Sequence, residues 1–169
     1  KQEHRFLAVV DEAHAFGAIG KGGRGIAGSV ADIAVGTFGK AFGFFGAFVL
    51  LPRTMRDYLI NFAPAVIYST TLPEAHAAST IELLEIIEQS GKARQNLKDV
   101  SGFMRDKLNT NGFHVQGDAH ILVVEIGDEQ FAVTVTWQLL QKGFFVFSAR
   151  YPTVPLGKAI LRISMSALH

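Results

Sequence analysis

The sequence predicts an α/β fold, and three observations carry that prediction. Short apolar runs that are continuous rather than alternating recur along the chain and end in turn or acidic residues, which marks strands buried in a mainly parallel sheet. Longer stretches with apolar residues at helical spacing stand between them. Glycine clusters punctuate the strand ends.

The elements follow in order. "RFLAVVDEA" reads as a buried parallel strand that delivers Asp11 at its C-terminal edge. "AIGKGGRGIAG" reads as a flexible glycine-rich surface loop. "DIAVGTF" is a second buried strand, "GKAFGFFG" a turn and "GAFVLL" a third strand. Pro52 opens a helix through "PRTMRDYLINFA", because its fixed φ suits the first helical position. "AVIYST" reads as a fourth strand. From Leu72 to Gly112 runs one long helix or two abutting ones, with Ile81, Leu84, Ile87, Leu97, Val100, Phe103, Met104 and Leu108 on the apolar stripe. Asn111-Gly112 stops it. "HILVVEIG" is then a strand, "DEQFAVTVTWQLLQKG" a helix ending at Gly143, and "FFVFSA" and "AILRISMSAL" two further strands. The glycine-rich first part and the later part read as different units, joined through the long helix near Ser90-Gly91.

Bulk numbers narrow the function classes. Apolar residues make up 49% of 169, enough for a buried core. The net charge of +1, from 16 basic and 15 acidic residues, predicts neither a nucleic-acid surface nor a membrane patch. No apolar run reaches membrane-spanning length. The absence of cysteine excludes a disulfide framework, Cys-based zinc and thiol catalysis. A cytoplasmic enzyme without a metal centre is expected. The chain opens on "KQEHRFLAVV", which is not a signal peptide and lacks an initiator Met, so a fragment missing its N-terminal part is expected.

"VVDEAH" resembles the metal-binding strand of a helicase-type ATPase, but the partner motif fails. A phosphate-binding loop needs G-x-x-x-x-G-K-[ST], with a hydroxyl for magnesium. "GTFGKAFG" has Ala41 there, its first glycine at the wrong distance, and it follows "VVDEAH" instead of preceding it. "GKGGRG" fits G-x-G-x-x-G at Gly20, Gly22 and Gly25, a weak signal without a helix behind it.

A better constellation is Asp11, His14, Thr37 and Lys40. In an open parallel sheet the ends of adjacent strands face one crevice, where ligands bind. Lys40, set among Phe38, Ala41, Phe42 and Phe44, is expected to be shielded from water, which lowers a lysine's pKa and makes it nucleophilic toward aldehydes. An aspartate at a buried strand end needs a cationic partner, and a pyridinium nitrogen would supply one. Taken singly, each residue has a plainer reading: a turn or cap aspartate, a surface histidine, an ordinary Gly-Lys-Ala turn.

In this order they are more specific. "VVDEAHAFGAIGKGGRG", "VGTFGKAFGFFGAFVL", "IYSTTLP" and "PTVPLGKAILRISMSALH" resemble the α-oxoamine synthases, a group of fold-type I pyridoxal-phosphate enzymes. The resemblance runs from about residue 6 to the end and covers the latter half of a family member. It implies that residues 1–88 are the C-terminal half of the large cofactor-binding domain, and residues 89–169 the small C-terminal α/β domain. The implied cofactor is pyridoxal 5'-phosphate, and the implied reaction is decarboxylative condensation of an amino acid with an acyl-CoA, here L-alanine with a pimeloyl thioester on the route to biotin. Glycine or serine with another acyl-CoA is the alternative, and an inactive dimerisation or scaffold fragment the other.

The resemblance also implies the roles. Lys40 would hold the cofactor covalently and move protons at the substrate Cα, Asp11 would pair with the ring nitrogen, and His14 would hydrogen-bond the phenolic oxygen. Thr37 would bind the phosphate. Ser69 and Thr70 would approach the phosphate of the other subunit's cofactor, since these enzymes are homodimers with shared active sites. Read without the resemblance, Ser69 and Thr70 are equally a helix cap. Arg162 would clamp the amino-acid carboxylate, a task for its planar fork, and Thr153 would lie near the acyl substrate. Arg162 is otherwise a surface strand charge, and Thr153 a loop-shaping residue. His76 and His120 fit no role and read as solvated or core. Phe42, Phe44, Phe45 and Phe48 read as core or, under the resemblance, as the border of the acyl channel. Departures from the family are the bulk of Phe44 and Phe45 after the turn, and Ile160 where a second Arg is usual.

Overall fold

A computed structural model of the protein describes residues 6–28 and 30–169, so the opening "KQEHR" lies outside the described residues. The chain divides into two compact units, Lys1–Gly91 and Lys92–His169.

In the first unit, β1 (Val9–Asp11) and β2 (Ile33–Thr37) pair in parallel, with Asp11 opposite Val35. The β2–β3 connection is a short turn, and so short a link can only return the chain antiparallel. β3 (Ala47–Leu50) therefore pairs antiparallel with β2, Thr37 opposite Ala47, and the sheet is mixed, in the order β1-β2-β3. β1 is less covered than its apolar run predicts: Val9 is 59% exposed. The core lies under the C-terminal ends of β1 and β2, where Phe16, Phe38, Phe42 and Phe48 interlock. Phe16 meets Phe48 at 4.7 Å edge-on, Phe38 meets Phe42 at 4.8 Å, and Phe38 meets Phe48 at 5.1 Å. Such offset pairs are the favoured aromatic geometry.

The helix after Pro52 forms as expected: α1 spans Arg53–Phe62, with Pro52 as its N-cap. "AVIYST" is not a strand. Pro64 starts a four-residue helix, α2 (Pro64–Ile67), and the Ser69 hydroxyl donates back to the Ala65 carbonyl. The long helical stretch is two helices, α3 (Glu74–Gln89) and α4 (Gly91–Thr110). Ser90 ends the first, its hydroxyl donating to the Ile86 carbonyl at 2.7 Å.

In the second unit, α4 ends where Asn111-Gly112 predicts. Gly112 takes φ 86°, its N–H reaches the Asn109 carbonyl, and the Phe113 N–H reaches Leu108. Phe103, on the expected buried stripe, is instead 64% exposed, and the Lys107 ammonium sits over its ring. β4 (Val115–Gln116), β5 (Ile121–Gly127), β6 (Phe147–Ala149) and β7 (Ala159–Ser164) form an antiparallel sheet in the order β4-β5-β7-β6. The Asp128 carboxylate caps α5 (Glu129–Gln141) by accepting from the Phe131 N–H at 2.6 Å. α5 packs on β5, β6 and β7. Leu122, Ala132 and Ala159 are wholly buried there. Among the described residues no helix is long and apolar enough to cross a membrane.

Candidate functional site

The parallel β1–β2 ladder sends Asp11 and the turn after Thr37 out of one sheet edge. Asp11 ends β1 exposed, and its Oδ1 accepts from the Ala13 N–H at 2.8 Å, so its other oxygen can meet a cation. His14 follows in a tight turn built on the Glu12 carbonyl, which accepts from the Ala15 and Phe16 N–H groups at 2.9 and 2.8 Å. That turn ends at Gly17, whose φ of 85° disfavours a side chain and whose absent Cβ would lie 3.2 Å from the Cβ of Ala41. The His14 turn and the Lys40 turn are thus in contact. Phe16 joins them further by stacking on Phe42 at 5.7 Å.

Thr37 ends β2. Its hydroxyl donates to the Gly46 carbonyl at 3.1 Å and accepts from the Gly39 N–H at 3.0 Å, so it also closes the turn that carries Lys40. The expectation that Lys40 is shielded fails: in this chain Lys40 is exposed. Phe38 and Phe42 do bury, but they turn into the aromatic cluster and leave the lysine on the outer side of the turn. Of the other phenylalanines read as core, Phe44 and Phe48 are half-buried and Phe45 is 68% exposed.

Ser69 and Thr70 are exposed and do not cap a helix; α3 starts at Glu74, with Pro73 at its N-cap position and no side-chain cap. In the second unit, Arg162 is half-buried at the middle of β7, opposite Val123 on β5 and Phe147 on β6. It is not a surface strand charge: its Nε is buried and has no hydrogen-bond partner among the described residues. Burial, and then the Arg162 charge, hold the His120 imidazole below its usual range. Thr153 is exposed in the turn after the cis Tyr151-Pro152 bond, its N–H donating to the Arg150 carbonyl at 2.9 Å.

Two structural roles, one of Glu12 and one of His76, escaped the sequence reading. Glu12 is buried, 3% exposed, and its Oε1 accepts from the Ile26 and Ala27 N–H groups. The glycine-rich loop is therefore pinned and not free, as its composition suggested. Alternation along β1 was the available signal: if Asp11 faces out, Glu12 faces in. His76 on α3 stacks on Phe44 at 4.7 Å, and its Nε2 hydrogen-bonds the Phe45 carbonyl, so it braces the Lys40 turn from behind. Nothing local in the sequence marks that contact. A cavity of about 430 Å³, lined among others by Glu12, Phe16, Arg24, Asp32 and Phe48, contains none of the expected site residues.

In chemical terms the strand-end set offers an exposed carboxylate for a protonated ring nitrogen, a primary amine for an aldehyde and an imidazole for a phenolic oxygen. That donor set fits pyridoxal phosphate.

Comparison with known proteins gives the family. The chain belongs to the aminotransferase class I and II family, whose model matches residues 1–169. Its fold is that of the pyridoxal-phosphate enzymes of fold type I. Within the family, the chain is 40% identical to 8-amino-7-oxononanoate synthase of Trichlorobacter lovleyi over 177 aligned residues, covering 99% of this chain and 45% of the relative. The crystal structure of 8-amino-7-oxononanoate synthase from Francisella tularensis superposes with a TM-score of 0.85 at 30% identity, over 95% of this chain and 49% of that one. Serine palmitoyltransferase of Sphingomonas wittichii superposes with a TM-score of 0.89 at 28% identity, over 99% and 44%. The chain spans about half the length of the curated relatives it matches.

Proposed function

We propose that the complete protein carrying this chain is a pyridoxal-phosphate-dependent acyltransferase that condenses an amino acid with an acyl-CoA and releases carbon dioxide, with L-alanine and a pimeloyl thioester as the preferred pair. The observation that carries this reading is the parallel pairing of β1 and β2, with the Asp11 carboxylate and the Lys40 turn leaving neighbouring strand ends. The likeness to 8-amino-7-oxononanoate synthase across 99% of the chain supports the substrate pair.

Bound pyridoxal phosphate would supply an electron sink for the substrate Cα. Lys40 would tether it and carry the Cα proton away and back, Asp11 would hold the ring nitrogen protonated, and His14 would donate to the phenolic oxygen. Thr37, Ser69 and Thr70 would serve the phosphate, the last two for a second copy's cofactor in a homodimer. Arg162 would hold the amino-acid carboxylate through its fork, and Thr153 would border the acyl chain. The domain roles proposed are a cofactor-binding part over residues 1–88 and a small domain over residues 89–169. The likeness to serine palmitoyltransferase supports a second reading, serine with a longer acyl chain.

Borohydride reduction of the complete protein tests the cofactor: it should fix a pyridoxyl group on Lys40 and on no other residue. A panel of amino acids and acyl-CoAs then tests the substrates, with alanine and pimeloyl-CoA expected to turn over fastest. No label at Lys40 would overturn the reading, and faster turnover of serine with palmitoyl-CoA would replace its substrate pair.

A further inference from the structure

Three segments meet at Glu12. Its N–H donates to the Val35 carbonyl at 2.7 Å and so extends the β1–β2 ladder one residue past Asp11. Its carbonyl starts the turn that carries His14, accepting from Ala15 at 2.9 Å and Phe16 at 2.8 Å. Its side chain, 3% exposed, closes on the glycine-rich loop: Oε1 accepts from Ile26 at 2.7 Å and from Ala27. The loop is shaped to receive it. Gly25 has φ 80°, and a Cβ there would lie 2.5 Å from Glu12 Cδ and 2.6 Å from Oε1. Further bonds tie the loop to the His14 turn and to itself, from the Gly17 N–H to the Gly23 carbonyl at 2.7 Å and from the Gly25 N–H to Ile19 at 3.1 Å.

We propose that Glu12 is a positioning residue for the reaction: by clasping the loop at Ile26 and Ala27, its buried carboxylate fixes the backbone that aims Asp11 and His14 beside the Lys40 turn. The inference rests on the function proposed above and extends it to a residue that touches neither cofactor nor substrate. The physical reason is local. Asp11 and His14 flank Glu12 within two residues, so the backbone that Glu12 anchors is the backbone from which both project. The buried anchor between them decides where they point. One side-chain oxygen accepting two backbone N–H groups ties two consecutive residues of the loop at a single point. What the clasp needs is an acceptor at Oε1 and the full length of the side chain.

The test compares E12Q, E12D and E12A in the complete protein loaded with pyridoxal phosphate. E12Q keeps the Oε1 acceptor and the reach; E12D keeps the charge and loses one methylene of reach. Positioning predicts that E12D lowers kcat at least about tenfold with KM for alanine changed less than threefold, moves the pH midpoint of the bound cofactor's absorbance, and speeds amide exchange at Ile26 and Ala27. E12Q should restore all three toward the parent. E12A should match or exceed E12D, and if it fails to fold, E12D carries the comparison. The proposal is overturned if E12D lowers the melting temperature while leaving kcat and the absorbance midpoint at parental values, which is a purely structural role. It is equally overturned if E12Q is as impaired as E12D. If the parent protein shows no cofactor absorbance, the proposed function fails instead, and the amide-exchange arm still reports whether Glu12 clasps the loop.

Discussion

Replacing Gly36 with alanine should do more damage than any other single methyl added to the β2 strand. Gly36 lies opposite Phe48 in the antiparallel pair, and the Phe48 ring lies across the space its side chain would fill. A Cβ at Gly36 would come within 2.6 Å of Phe48 Cε1 and 2.9 Å of Cε2. Carbon atoms pack at roughly 3.5–4.0 Å, so the ring must retreat by about 1 Å. Two of its sides are blocked, edge-on by Phe16 at 4.7 Å and tilted by Phe38 at 5.1 Å. Overpacking of this kind costs about 1–3 kcal/mol, and expelling the ring adds about 0.5–1.5 kcal/mol for each aromatic pair lost. The lower backbone entropy of alanine returns about 0.5–1 kcal/mol. With both pairs lost, the net expectation is a loss of about 1–5.5 kcal/mol, read from the urea midpoint. A double-mutant cycle isolates the cause: in a Phe48→Ala background the same Gly36→Ala change should be neutral or mildly stabilising. A Gly36→Ala protein as stable as the parent, or equal losses in both backgrounds, would refute the steric argument.

Other expectations follow from the site. Lys40→Ala should lower turnover by at least about 100-fold, the lower end for loss of a positioned proton carrier, and should abolish borohydride labelling. Arg162→Lys keeps the charge and loses the fork; a lost charge-assisted hydrogen bond of about 1.5–3 kcal/mol predicts a KM for the amino acid roughly 10- to 100-fold higher. His76→Ala removes a hydrogen bond and a ring contact behind the Lys40 turn and should cost about 1–2 kcal/mol by urea denaturation. For His120, the folded chain resists protonation because of burial first and Arg162 second. The unfolded chain takes up that proton near pH 6.5 and the folded chain only at lower pH, so the second unit should lose stability as pH falls below 6.5. His120→Leu should flatten that slope in a pH series of melting curves, and an unchanged slope would reject the assignment.

What could be read from the sequence was whatever rests on local signals. The strand runs ending at Asp11 and Thr37, the helix behind Pro52 and the stop at Asn111-Gly112 all depend on period or on a residue's own backbone preference. "AVIYST" misled because β-branched and aromatic composition outweighed Pro64, whose fixed φ starts a helical turn instead. The last sheet strand but one was drawn too long. Gly143 closes α5 with φ 85°, and the Phe144 N–H turns back to the Leu139 carbonyl, so the pairing starts only at Phe147. The Lys40 turn was legible as a turn, but its exposure was not, because which way Phe38 and Phe42 point depends on Phe16 and Phe48 from other segments. Glu12 and His76 act across 14 and 31 residues of chain, a distance at which composition carries no signal.

The ladder of Val9, Val10 and Asp11 against Ile33, Ala34 and Val35 works as a ruler. Neighbouring strands stand about 4.8 Å apart whatever side chains they bear. The offset between the strand that ends in the acid and the strand that leads to the amine is therefore written in main-chain atoms and not in the identity of the side chains they bear. Groups at the rim of this frame can be exchanged while the spacing between the two strands stays as the main chain sets it.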